Sequence, residues 1–345
     1  MKKPIRSEAV RTHQLTLMTT IPVALLLALL LSTGCSRKSE CPARSITTSP
    51  GEFSVMAYNL CRYSLADRDG DGQKNDPKPS REHDAVIELI ADAQPDILAV
   101  QEIGSPSVFE EFRYALRNAG LDYEHAEYLQ RGQSEINLAV LSRFPIVSRQ
   151  PHTDDTYSIG DAEISVLRGF LDVQIQVNPN YKFRLMDAHL KSKVFHALGQ
   201  TEMRRNEARL LNKHIRGILK ESPEENLLVL GDFNDTYRSA PLREITGNKH
   251  EYLQDLRPRD EAGNVWTHFS SDIDQYDRID YTLVSQGMKP EVVAEKTRVL
   301  SDPRTYQASD HRPLIVVFRD SETPATPRAE PTNAPDAPHQ ADETD

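Results

Sequence analysis

Positive charge, cysteine and long apolar runs are all scarce in this chain of 345 residues, and each scarcity narrows the class of protein. Lys and Arg number 41 against 52 Asp and Glu, a formal net charge of −11. A protein living on tight nonspecific binding to duplex nucleic acid would be basic, so the balance weakens a general DNA-degrading role. The apolar run Ile21–Leu31 holds eleven residues, short of the roughly 20 that a membrane-spanning helix needs. No repeat signals a solenoid. No basic gripping loop and no aromatics interleaved with Arg announce base stacking. The sole tryptophan, Trp266, reads as core. Of three cysteines, Cys35, Cys41 and Cys61, the last two are free to pair in an exported chain, or Cys61 is a small buried thiol.

The ends are not globular in composition. Residues 1–34 carry Lys2, Lys3, Arg6 and Arg11, then the apolar run, then Ser32-Thr33-Gly34 before Cys35. A basic start, a short apolar stretch and small residues at a cleavage point describe a secretory signal. Cys35 after Gly34 resembles a bacterial lipobox, so the expectation is a lipid anchor at Cys35 and a place in the cell envelope. Cleaved soluble secretion and an uncleaved anchor are the alternatives. Residues 36–50 read as a tether and 321–345 as a disordered acidic, Pro-rich tail, leaving 51–320 for one domain. Removing the leader takes away four Lys/Arg and one Glu, so 37 basic residues face 51 acidic ones. Against that balance, residues 181–220 hold ten Lys/Arg and three Asp/Glu. From Arg205 onward this reads as a solvated helix face, whereas Lys191 and Lys193 suit a phosphate.

Several strand-like runs end in residues that hold metals or phosphates. Ile97–Val100 leads into Gln101-Glu102, Leu185–Ala188 into His189, and Leu227–Leu230 into Gly231-Asp232-Phe233-Asn234. Ser309-Asp310-His311 precedes the run Leu314–Phe318. Short buried strands gather their tips along one sheet edge, and sites form where such tips meet. Further strands are expected at Phe53–Asn59, Leu138–Leu141, Phe170–Val177, Phe183–Ala188 and Ile279–Val284, with helices at His83–Ala93, Phe109–Asn118 and Thr201–Leu219. An early β-α-β order followed by consecutive strands predicts mixed sheets.

Seven segments, Met56–Asn59, Val100–Glu102, Asn137–Ser142, Ala188–Ser192, Gly231–Asp235, Arg278–Tyr281 and Ser309–Pro313, together resemble the endonuclease/exonuclease/phosphatase superfamily across about residues 52–319. The resemblance implies a four-layer α/β sandwich, two mixed β-sheets face to face with helices outside, and a Mg²⁺- (or Mn²⁺-) dependent phosphoesterase. Hydrolysing a phosphoester needs a cation on the phosphoryl oxygens, an activated water and donors for developing charge. By resemblance Glu102 is the principal metal ligand, with Asn59 beside metal and phosphate and Asp310 completing the metal environment. Asp232 and Asn234 lie two apart, so an extended backbone aims both the same way, Asp232 at the water and Asn234 at a phosphoryl oxygen, whereas Gly-Asp-x-Asn taken alone equally suits a tight turn. Asp280 and His311 fit a carboxylate–imidazole pair, His189 matches a phosphate donor, and Arg168 and Lys191 match substrate contacts.

Asp67, Asp69 and Asp71, with Gly72, copy half of a calcium loop, with Lys78 where its closing Glu belongs. A partial Ca²⁺ site and a solvated acidic loop are both open. His152, His196, His214, His250 and His268 receive no site role. The expected activity is phosphodiester hydrolysis on a phosphate-ester substrate, with nucleic acid as one candidate. The alternatives are a small-molecule or lipid phosphodiesterase or phosphomonoesterase, and, outside enzymes, an inactive binding or adhesion module on the same scaffold.

Overall fold

The computed structural model describes residues 48–247 and 252–323. The expected leader, Cys35, Cys41, residues 36–47 of the tether, His250 and the tail from 324 lie outside the described residues.

The first half of the domain runs β1 (Glu52–Tyr63), α1 (Ser80–Ala93), β2 (Ile97–Ile103), α2 (Pro106–Asn118), β3 (His125–Leu129), β4 (Asn137–Ser142) and β5 (Ile146–Arg149). A short hairpin, β6 (Thr156–Ile159) and β7 (Ala162–Ser165), precedes β8 (Phe170–Asn178), β9 (Tyr181–His189) and the long α3 (Gln200–Glu221). Then come β10 (Leu227–Asp232), α4 (Ala240–Thr246), β11 (Gln254–Asp255), the hairpin β12 (His268–Ser270) and β13 (Gln275–Asp277), β14 (Asp280–Val284), β15 (Arg298–Val299), α5 (Thr305–Ala308) and β16 (Leu314–Arg319).

Two six-stranded sheets carry the fold, in the orders β15-β16-β1-β2-β4-β3 and β11-β14-β10-β9-β8-β5. Each is mixed: β1 with β2, and β9 with β10, are parallel, and the remaining neighbours are antiparallel. The strands are apolar on both faces because both are covered. In β1, Phe53, Val55 and Ala57 face the second sheet while Met56, Tyr58 and Leu60 face α1 and α2. In β10, Leu228 and Leu230 face the first sheet while Leu227 and Val229 pack on Leu211 and Ile215 of α3 and Leu242 and Ile245 of α4. This period-two alternation with apolar residues on both sides builds the expected four layers: helices, sheet, sheet, helices.

The topology puts four carboxyl ends on one edge. β1, β2, β9 and β10 all finish there, and the antiparallel β14 and β16 begin there, so Asp232 stands level with both His189 and Asp280. β1 runs four residues past its expected end at Asn59. Cys61 and Arg62 take φ of 49° and 52°, and the pairing with β2 slips between Asn59 and Tyr63. Bulges of this kind re-aim side chains next to sites. The short strands β3, β5–β7, β11–β13 and β15 were not expected, because runs of two to five mostly half-buried residues carry no periodicity that a sequence can display.

Candidate active site

Asp232, at the tip of β10, is the hub. Its Oδ2 lies 3.1 Å from Asn59 Nδ2, 3.1 Å from Asn234 Nδ2, 3.4 Å from His189 Nε2 and 3.8 Å from His311 Nε2. Gly231 makes that placement possible. A Cβ there would sit 2.1 Å from the Ala188 carbonyl oxygen and 2.7 Å from Asp187 Oδ1, and its φ is 125°. Only glycine lets β9 and β10 run this close and deliver His189 beside Asp232.

Asp232 and Asn234 meet for a reason other than the expected one. The chain turns after β10, with Asn234 at φ 52°, so the two side chains do not share the face of an extended strand. The Asn234 backbone N–H donates to Asp232 Oδ1 at 2.8 Å, and Nδ2 donates to Asp232 Oδ2 and to the Leu190 carbonyl. The turn braces the Asp232 carboxylate from two sides.

Glu102 also has left-handed backbone, φ 62°, at an irregularity in the β2–β4 pairing. Strain of this kind in a non-glycine residue concentrates at functional sites. Its Oε2 accepts from the Arg62 N–H at 2.8 Å, and Oε1 lies 3.4 Å from Asn59 Nδ2 and 3.8 Å from His189 Nε2. Asn59 therefore donates to two carboxylates, while its Oδ1 accepts from the Cys61 N–H at 3.0 Å. The Glu102 side chain is 18 % exposed and that of Asp310 44 %, whereas Asp232, His189 and His311 are buried, so an ion from solvent meets Glu102 and Asp310 first. Their oxygen donors suit a hard cation such as Mg²⁺. Asn59 holds both carboxylates through Nδ2, and its oxygen, which accepts from the Cys61 N–H, keeps a second lone pair.

Charge is divided between the two histidines. His311 Nδ1 lies 2.8 Å from Asp280 Oδ2. Burial opposes the charged ring, but Asp280, then Asp232 and Asp310, raise it to about 10. Burial, with Arg168, His311 and Lys191 nearby, drives His189 well below the ordinary range. At neutral pH the pair is one cation and one neutral ring. Burial pushes Asp232 up to about 7 against the pull of His311, a range suited to a general base. Burial would raise Asp310 too, yet His268 and His311 hold it well below the usual carboxylate range.

Of the remaining expected residues, Arg168 stands beside the cluster with Nη1 3.2 Å from the Leu190 carbonyl. Lys191 turns its ammonium into its own loop, onto the carbonyls of Ser192 and Val194, and Lys193 pairs with Asp277 at 2.9 Å. In the calcium-like loop Asp67, Asp69 and Asp71 are exposed and accept hydrogen bonds from backbone N–H groups of the loop. Cys61, beside Asp310, carries a free thiol. Arg205 and Arg209 pair with Glu244 on α4, and Arg209 and Glu244 line a cavity of about 780 Å³ that none of the clustered residues lines.

Three features escaped the sequence. His268, given no role, sits with Nε2 3.7 Å from Asp310 Oδ2 and its ring 4.7 Å from that of His311. Trp266 is half-buried, not core. With Phe269 and Tyr306 it lines a cavity of about 270 Å³ whose other walls include Asp310 and His311. Between the sheets, Gln101 Nε2 donates to Asp187 Oδ1 at 2.8 Å. Gln101 directly follows one of the apolar runs, and Asp187 lies inside another. The aromatic wall combines residues 40 positions apart, which no local pattern announces.

The model of the Endonuclease/Exonuclease/phosphatase family matches residues 56–311. No curated protein matches the chain in sequence. Among solved structures, the chain is similar to the human Nocturnin catalytic domain with bound sulfate (TM-score 0.58, 17 % identity, 82 % of this chain and 99 % of that one). It is also similar to an endonuclease/exonuclease/phosphatase family protein from Bacteroides thetaiotaomicron (0.52, 18 %, 79 % and 98 %). A third likeness is to D. rerio TDP2 complexed with a single-strand DNA product (0.51, 16 %, 77 % and 98 %). At these identities the likeness shows the fold.

Proposed function

This chain belongs to the endonuclease/exonuclease/phosphatase family, and we propose that it hydrolyses phosphodiesters with the help of a divalent cation. The observation that carries the reading is the ring of four side chains around one buried oxygen, Asp232 Oδ2. Glu102 and Asp310 would hold the cation. When bound, it would draw charge from the phosphoryl oxygens. Asp232, with its raised pKa, orients the attacking water and takes its proton, and Asn59 and Asn234 keep that carboxylate in place. His311, charged through Asp280, faces the charge that develops on phosphorus. His189, neutral, supplies a second donor.

The aromatic cavity favours a substrate that carries a planar ring, as a nucleotide does. Its volume of about 270 Å³ is of the size of one base with its sugar, and it opens on Asp310 and His311. The single-strand DNA product bound to the D. rerio structure is consistent with such a substrate. The expected lipid anchor at Cys35 would place this activity at the cell envelope. Among the described residues no helix is long and apolar enough to cross a membrane.

The test incubates purified protein with Mg²⁺, or with EDTA, on plasmid, single-stranded DNA, RNA, an aryl phosphodiester and inositol phosphates. Metal-dependent cleavage of single-stranded nucleic acid, abolished in His311→Ala, is expected. Turnover of none of them, or turnover indifferent to EDTA, would remove the reading.

A further inference from the structure

Away from the catalytic edge, the loop leading into β6 meets the middle of α3 at three side chains that no step above uses. His152 and Asp155 come from the loop, three residues apart, and His214 from the helix. One nitrogen from each ring and one oxygen of Asp155 lie within 4.8 Å of one another, and all three residues are half-buried. The imidazoles stack with centroids 3.7 Å apart and planes at 26°, so one ring turns out of the stack when both nitrogens face a common ion. His214 Nε2 lies 2.6 Å from Asp155 Oδ2.

We propose that His152, Asp155 and His214 form a second metal site, specific for a divalent transition ion of the zinc type. Two imidazoles and one carboxylate select such an ion over Mg²⁺ or Ca²⁺, which take oxygen ligands. His152 is already backed by a carboxylate. Its Nε2 faces Asp172 Oδ2 at 3.0 Å, and Asp172 is fixed by two 2.7 Å contacts from Arg184, which leaves Nδ1 to bind the ion. A carboxylate behind a ligating histidine is the usual support for zinc. Two ligands of one tetrahedral zinc lie roughly 3.3 Å apart at metal–ligand distances near 2.1 Å. The contact between His214 and Asp155 therefore opens by less than 1 Å as the ion displaces the proton they share, and that proton leaves to solvent. The fourth position remains for water.

The consequence is a clasp. Glu207 lies two turns earlier on α3, and its carboxylate accepts from the N–H groups of Leu167 and Lys191. An ion at His214 would fasten the other end of the segment that carries Arg168 toward the catalytic edge.

The experiment strips the full chain with a chelator, dialyses it against micromolar zinc chloride and counts bound zinc, with melting temperature recorded alongside. The parent and the Asp232→Asn chain should both keep the one zinc equivalent held by His152, Asp155 and His214 and melt higher with zinc. Asp155→Asn, a half-buried change of nearly equal size, and His214→Gln should each lose one equivalent and the thermal shift. Circular dichroism confirms that the variants fold. A parent that retains no zinc, or a count unchanged in both variants, overturns the proposal. No turnover is measured, so the outcome is independent of the phosphodiesterase reading.

Discussion

His311 and Asp280 are joined by a 2.8 Å contact between Nδ1 and Oδ2, and each side chain is only 6 % exposed. The contact runs from the segment before β16 to the start of β14, and so ties one sheet to the other at the catalytic edge. Out of water, the carboxylate outweighs the burial that would strip the ring of its proton, and His311 is raised to about 10.

A pH prediction follows from the sign of that shift. An unfolded histidine titrates near 6.5. The pair's contribution to stability is therefore fully present below about 6.5 and is lost as pH rises through about 10. If the cationic ring is needed for turnover, the alkaline limb of the rate profile falls at the folded value. Asp280→Asn should move that limb down by at least about one unit, toward 6.5. An alkaline limb in the same place in both proteins would remove His311 from the reaction.

Asp232 and Glu102 should fail in different ways. The base is buried and accepts N–H donors on both oxygens, so Asp232→Asn keeps the size, removes proton transfer and turns its NH2 toward one of those donors. A loss of about 10²–10⁴-fold in kcat is expected, with little change in the Mg²⁺ concentration that half-saturates the rate. Glu102 is at the mouth, and Glu102→Gln should raise that concentration at least about tenfold. Equal metal requirements in the two variants would contradict the division of labour.

The sequence made the strand tips legible, because β2, β9 and β10 are apolar on both faces and end abruptly in Glu, His and Asp. Those ends fall on one edge in the structure, while the two-sheet architecture came from the family resemblance of the seven segments. Backbone conformation was not legible. Glu102, Asn234, Cys61 and Arg62 all adopt positive φ, and of these four local preference inclines only Asn toward it. The geometric argument for Asn234 therefore assumed an extended strand where the chain turns. His268, too, reaches Asp310 only because its hairpin folds back across 42 positions.

Asp187 supplies a stability prediction. Burial raises its carboxyl well above the ordinary range, although Gln101 Nε2 donates to it. Asp187 Oδ2 and Gln101 Oε1 are both buried without a partner. A protonated Asp187 has a hydroxyl to donate, and the Gln101 amide oxygen is an acceptor in need of a donor. The unfolded chain gives up this proton near 3.9, while the fold retains it, so stability drains away as pH climbs above that value. Asp187→Asn keeps an amide in place of the acid and does not titrate. Its melting temperature, relative to the parent, should improve steadily between pH 4 and pH 8. Parallel melting curves across that range would mean that Asp187 is ionised in the fold.

Tyr306 tests the substrate side. Its ring is 63 % exposed on the rim of the aromatic cavity and lies 6.1 Å from Trp266, so truncating it removes little buried packing. Stacking a base on an aromatic side chain contributes about 1–3 kcal/mol, which corresponds to roughly 5- to 150-fold in affinity. Tyr306→Ala should therefore raise KM for an oligonucleotide within that span. The kcat, and the KM for a phosphodiester without a ring, should stay near parental values, since Tyr306 touches none of Asp232, His311 or Glu102. An equal rise for both substrates would point to a disturbed metal edge. No rise for either would mean that the ring of the substrate lies elsewhere.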